Sequence, residues 1–199
     1  EFVFSLVKTH PGFLYGAWAL HPEYENIRET SVEEIEEICS NPAIYAVGET
    51  GLDYHWCKGD LTWQKERFRM HIQAAKNLNK PLIVHAREAE NDALKILKEE
   101  KAMDVGFVLH CFAGDEKTAK ECIDCGGMIS VTGVVTFKNA LNLQTIVKDL
   151  PLENLMIETD CPYMAPEPFR GKRNDPGYIY RMAQRLAELR GCTEEEIQR

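Results

Sequence analysis

Residues 82–110 read LIVHAREAENDALKILKEEKAMDVGFVLH, and this stretch decides the fold. It opens on a short apolar run, 82–85, and closes on another, 106–110, with an amphipathic segment near 89–100 between them. A strand, a helix and a second strand in that order form a βα unit, whose crossover lays parallel strands side by side. The Val, Ile and Leu content of the runs suits strands covered on both faces rather than strands with one face in water. Both runs stop on a histidine.

Outward from this unit the same alternation continues in both directions. Further strands are expected at 14–20, 44–49, 128–132 and 155–158, and helices near 63–78, 115–125 and 139–149. Ser31 and Glu34 form a capping box ahead of Val32, Ile35 and Ile38, and Asn41-Pro42 closes that helix. Asp175-Pro176 is an N-cap followed by a first-turn proline, with Ile179, Met182, Ala183 and Leu186 on the buried stripe and Gly191 as the stop. No low-complexity linker or charge block divides the chain, so residues 1–199 are expected to form a single domain. Six parallel βα units suit either a doubly wound sheet or part of an eight-stranded TIM-type (β/α) barrel, which takes about 250 residues. Glycine-rich phosphate fingerprints are absent, and the placement of polar residues decides.

Composition narrows the class. A chain of 199 residues that is 44% hydrophobic can bury one substantial core. No apolar stretch approaches the roughly 20 residues that span a membrane, and the start lacks the pattern of a secretory signal. Seven cysteines, an odd number scattered through apolar segments, fit structural thiols in a reducing, cytoplasmic setting. Cys122 and Cys125 form a CxxC, but they precede Gly126-Gly127 and no second pair completes a zinc site. A net charge of −9 argues against a long passive surface for nucleic acid, whose phosphates attract Lys and Arg. An enzyme is compatible with it, since bound divalent cations reverse the field locally.

Four of the expected strands end in or beside a metal-capable side chain: Glu49, His85, His110 and Asp160. Taken singly, each has an ordinary reading, the histidines as rim residues and the carboxylates as turn caps. In a barrel, however, the C-terminal ends of all strands converge on one face, so four such residues at equivalent positions meet around one pocket. Two imidazoles and two carboxylates make a mixed N/O site suited to Zn²⁺, Mn²⁺ or similar divalent ions.

Five segments then carry a specific resemblance: Gly48-Glu49-Thr50-Gly51-Leu52-Asp53-Tyr54, Pro81-Leu82-Ile83-Val84-His85-Ala86-Arg87, His110-Cys111-Phe112-Ala113-Gly114, Glu158-Thr159-Asp160-Cys161-Pro162-Tyr163, and Arg170-Gly171-Lys172-Arg173-Asn174-Asp175-Pro176. In this order they resemble the signature segments of the TatD family of metal-dependent deoxyribonucleases, and Leu20-His21-Pro22 resembles the family's Gly-x-His-Pro segment. The resemblance implies an amidohydrolase-like barrel and hydrolysis of DNA phosphodiesters, exonucleolytic in mode, with two divalent metal ions (Mg, Mn or Zn). It further implies that Glu49 bridges the metals, that His85 and His110 hold one, and that Asp160 binds the other or the attacking water. Glu49 and Asp160 are thereby the catalytic pair. DNA is the expected partner, with no membrane and no obligate protein partner.

His21, Arg87, Arg173 and Asn174 are expected to bind substrate, because phosphate recognition calls for cationic or amide donors near the metals. Tyr54 and Tyr163 are expected either to stack on a base or to pack. Two other readings stand beside the nuclease: a related barrel hydrolase acting on a lactone, amide or small phosphoester, and a non-catalytic barrel fragment. The family's His-x-His pair is absent from the sequence. Either the chain lacks the first two βα units or it belongs to members in which that pair is replaced; residues 2–11 look like the family's second helix, so the expectation is a chain truncated at both ends with the first two strands missing. Poor hydrolysis of DNA by residues 1–199 alone is the corresponding expectation.

Overall fold

Each expected strand forms, and each is followed by a helix. The computed structural model describes residues 2–198. They divide into two compact units, Glu1–Val108 and Leu109–Arg199.

The first unit opens with α1 (Phe2–Thr9) and continues through β1 (Gly16–Trp18), α2 (Val32–Cys39), β2 (Ile44–Asp53), α3 (Thr62–Leu78), β3 (Leu82–Arg87) and α4 (Glu90–Glu99) to the first two residues of β4 (Phe107–Leu109). β2 is central to this unit: it pairs in parallel with β1 through Ala17↔Ala46 and with β3 from Val47↔Leu82 to Asp53↔Arg87. The Ser31–Glu34 capping box starts α2, each side chain taking up a backbone N–H that would otherwise go unsatisfied. α3 packs against α2 and β2. It fully buries Phe68 and Ile72, and removing each such side chain from water stabilises the fold by about 1.5–3 kcal/mol. Asn79 ends α3 in the left-handed conformation, which asparagine tolerates better than most residues.

The second unit carries α5 (Glu116–Asp124), β5 (Met128–Val131), α6 (Leu141–Asp149), β6 (Leu155–Ile157), α7 (Ile179–Arg190) and α8 (Glu194–Ile197). β5 and β6 are parallel, with Ile129↔Leu155 and Val131↔Ile157 in register. Asp115 caps α5 through the N–H of Thr118, and Gly191 at φ 67° stops α7. Asp175 does cap a helical start, but the first turn, Pro176–Tyr178, is 3-10, and the α-helix proper begins at Ile179.

The strand ends need correction. The run expected at 14–20 pairs only over Gly16–Trp18. The run expected to stop at Glu49 continues to Asp53, and the one expected to stop at His85 continues to Arg87, because β2 and β3 keep pairing beyond both residues. His110 does stand directly after its strand, β4. No helix among the described residues is long and apolar enough to cross a membrane. All seven cysteines are free thiols. Burial pushes Cys39 and Cys57 up to about 11 and Cys122 to about 12, so these three remain protonated at neutral pH.

Candidate metal centre

Glu49 owes its position to an irregularity in β2. Gly48 pairs with Ile83 and Thr50 with Val84, so Glu49 is the extra residue in the ladder. Such a bulge bends the strand and re-aims the inserted side chain. Flanking glycines make it feasible. A Cβ on Gly48 would lie 2.5 Å from the Ile83 Cβ, and one on Gly51, at φ +135°, would lie 2.0 Å from the His85 carbonyl oxygen. Only glycine lets the two backbones approach this closely.

Around Glu49 the first unit gathers two imidazoles. Glu49 Oε2 lies 3.5 Å from His21 Nε2, and the His21 ring meets the His85 ring edge-on, with centroids 4.7 Å apart. Ligand-capable atoms of His21, Glu23 and His85 lie within 4.8 Å of one another, as do those of Glu49 and His85. Imidazoles and carboxylates at this separation form the mixed N/O donor set that divalent ions such as Zn²⁺ and Mn²⁺ take, so the residues fit a cation.

His85 is oriented from behind. Its Nε2 lies 2.8 Å from Oδ2 of Asp53, a residue that is completely buried. Asp53 Oδ1 accepts the backbone N–H groups of His55 at 2.9 Å and Trp56 at 2.7 Å. Burial pushes the Asp53 carboxyl upward, but the Trp56 N–H, the His85 ring and the His55 N–H outweigh it and hold the group below the usual carboxylate range. An ionised Asp53 accepts a hydrogen bond from the Nε2–H of His85, which fixes the tautomer and leaves the lone pair of the neutral ring on Nδ1.

The second unit repeats the arrangement. Buried His110 has Nδ1 3.5 Å from Glu158 Oε2. Glu158 Oε1 accepts the Cys111 N–H at 2.5 Å and the Ser130 hydroxyl. Burial again pushes this carboxyl upward, and His110, Ser130 and the Cys111 N–H hold it low. Asp160 follows β6 with φ 51°, in the left-handed region, and its carbonyl accepts the Tyr163 N–H at 2.9 Å.

The residues expected to bind substrate have separate surroundings. His21 stands beside Glu49, as described above. Arg87 and Arg173 are exposed, with the Arg87 guanidinium 5.5 Å from the centre of the Trp56 ring. Asn174 is buried, and its amide nitrogen donates to the carbonyls of Thr159 and Tyr163, both at 2.6 Å. It closes the loop that carries Asp160. Tyr54 is tied by its hydroxyl to Asp92 at 2.7 Å, whereas Tyr163 is exposed.

Asp53, Glu158 and Ser130 were not singled out from sequence. Asp53 and Glu158 do lie inside quoted motifs, four residues after Glu49 and two before Asp160. A second carboxylate near each strand end was the available signal.

Comparison with known proteins bears on both units. The model of the TatD related DNase family matches residues 2–199. The metal-dependent hydrolase YabD of Bacillus subtilis (strain 168) is 45% identical over 186 residues, covering 93% of this chain and 73% of the relative. The metal-dependent hydrolase YcfH of Escherichia coli (strain K12) is 40% identical over 209 residues, covering 99% of this chain and 78% of the relative. Among solved structures, the TatD homologue YJJV of Escherichia coli K12 superposes with a TM-score of 0.88 at 30% identity, covering 98% of this chain and 76% of that one. The expected α/β class, that of the TIM-type barrel, is thereby established.

Proposed function

The chain belongs to the TatD-related DNase family, and from that membership we propose that it hydrolyses phosphodiester bonds of DNA from an end, using two divalent metal ions. The observation that carries the reading is the gathering of ligand-capable atoms in the first unit, where Glu49 lies within 4.8 Å of His85 and His21 and Glu23 join the same histidine. Glu49, His85, His110 and Asp160 are the proposed ligands, each lying in or shortly after a strand of the fold.

Cations held there would polarise a phosphate oxygen, lower the pKa of a water and stabilise the departing oxygen. The chain's own residues do the rest. Asp53 and Glu158 hold the His85 and His110 rings in a fixed tautomer and direction. Asp160 accepts the proton of the attacking water. Arg87 and Arg173 supply cationic donors for the phosphates, and His21 stands where it faces both Glu49 and the substrate. A net charge of −9 confines attraction for DNA to this small region.

Hydrolysis of end-labelled single- and double-stranded DNA in the presence of Mg²⁺, Mn²⁺ or Zn²⁺, alongside lactone, amide and small phosphoester probes, tests the reading. Metal-dependent release of nucleotides from an end, lost on chelation and in Glu49→Gln and Asp160→Asn, is the expected result. DNA left intact under every metal condition while one of the other probes turns over would replace it with the related-hydrolase reading.

A further inference from the structure

Three polar side chains of α3 are buried and lie outside the proposed ligand set. Gln64, Arg67 and His71 are at most 2% exposed, and their spacing places them on successive turns of one helix face. A polar group withdrawn from water destabilises the fold unless its hydrogen bonds are replaced, so the partners reveal the purpose. His71 Nε2 accepts the N–H of Leu20 at 3.1 Å. Arg67 Nη1 donates to the carbonyl of His21 at 2.9 Å, and Gln64 Nε2 donates to that of Pro22 at 2.9 Å. Consecutive residues 20–22 are thus held one by one, and they belong to no strand or helix that would satisfy them otherwise.

The three holders are themselves fixed. His71 Nδ1 donates to the Arg67 carbonyl at 2.8 Å, which assigns Nε2 as the acceptor. Arg67 forks onto Glu29, with Nε 2.9 Å from Oε2, and its guanidinium lies 4.6 Å from the centre of the Trp63 ring. Gln64 reaches the other imidazole as well. Its Oε1 accepts the Asp53 N–H at 3.0 Å and its Nε2 donates to the Asp53 carbonyl at 3.2 Å, and Asp53 is the carboxylate that orients His85. Apolar side chains at these positions would fill the same volume without directing anything.

We propose that Gln64, Arg67 and His71 are positioning residues, with α3 serving as a jig that sets the His21 ring beside Glu49 and carries the His85–Asp53 pair with it. The inference rests on the reading of His21 as a residue of the phosphodiesterase site. It concerns direction rather than contact, since none of the three is placed against substrate or metal.

The test compares Gln64→Met, Arg67→Met, His71→Leu and the conservative His71→Gln, whose side-chain oxygen still accepts the Leu20 N–H. In the metal-free protein, the ring Hε1 resonance of His21 is expected to shift and broaden in the first three variants and to return in His71→Gln. The exposed ring of His10, whose Nδ1 lies 3.0 Å from Thr9 Oγ1, serves as the control and should not move. Any one folded member of the set suffices. With Mn²⁺, turnover of bis(p-nitrophenyl) phosphate should fall about 10- to 100-fold at little change in KM. In a His21→Ala background the same substitutions should cost less than about threefold, the non-additivity expected of residues acting through one another. An undisturbed His21 resonance, or His21 and His10 changing together, overturns the proposal. A disturbed His21 ring combined with a harmless His21→Ala supports the jig and instead removes His21 from the proposed site.

Discussion

His85 Nε2 and Asp53 Oδ2 stand 2.8 Å apart, with the carboxylate side chain wholly buried and the imidazole 15% exposed. The less buried member reaches solvent, and the buried one supplies the charge that aims it. Asp53→Asn keeps the shape and removes that charge. Divalent-metal affinity measured by calorimetry is expected to fall about 10- to 100-fold with the fold intact by circular dichroism. Unchanged affinity would show that His85 needs no such partner.

His71 gives stability a pH dependence of definite sign. Burial lowers its pKa to about 4 from the ordinary 6.5, and both ring nitrogens are committed while the ring is neutral. An unfolded chain therefore takes up a proton that the folded one refuses. The stabilisation is complete above about pH 6.5 and is lost as pH falls toward 4, by roughly 3 kcal/mol in all. Melting curves between pH 8 and 4 should show the decline, and His71→Gln should flatten it over that window. The low-lying carboxyls of Asp53 and Glu158 act in a more acid range.

Gly51 and Gly59 both have positive φ but differ in their surroundings. A methyl group on Gly51 would strike the His85 carbonyl at 2.0 Å, whereas one on Gly59 would meet nothing within 4 Å. Gly59→Ala is expected to cost about 1 kcal/mol from backbone conformation alone. Gly51→Ala should cost more than about 3 kcal/mol and displace His85. Denaturant unfolding of the two variants checks the ranking, and equal losses would mean that the close approach of β2 to β3 is unimportant.

Asn174 separates holding a loop from binding a substrate. Its amide bonds to Thr159 and Tyr163 bracket Asp160. Asn174→Ala leaves those carbonyls without their donor, which is worth about 1–3 kcal/mol of stability. The expected kinetic signature is a fall in kcat of about 100-fold with KM nearly constant. A rise in KM at constant kcat would assign Asn174 to substrate contact instead.

The strand–helix alternation was legible because each apolar run and each amphipathic segment carries its own period, and the caps at Ser31 and Asp175 form as local chemistry dictates. The ends of β2 and β3 were not legible. Pairing between strands, not the identity of Glu49 or His85, determines how far each continues. Glu49 and His85 were visible as polar residues closing apolar runs. The orienting partner of His85 was hidden, because an aspartate that caps a turn and one that holds an imidazole look alike until the fold brings the ring to it. Gln64, Arg67 and His71 were hidden for a related reason: on an amphipathic helix, polar residues are read as the wet face, and here they are buried.

The bulge at Glu49 puts the two flanks of β2 out of phase by one step. A strand of even count can slide or lose a residue at an end and remain a strand. Here, removing the one residue between Gly48 and Thr50 would bring both flanks into a single continuous register with β3, so the ladder would survive while the re-aimed position that Glu49 occupies would vanish. A change of length in this stretch would therefore spare the strand and forfeit the carboxylate that projects from it.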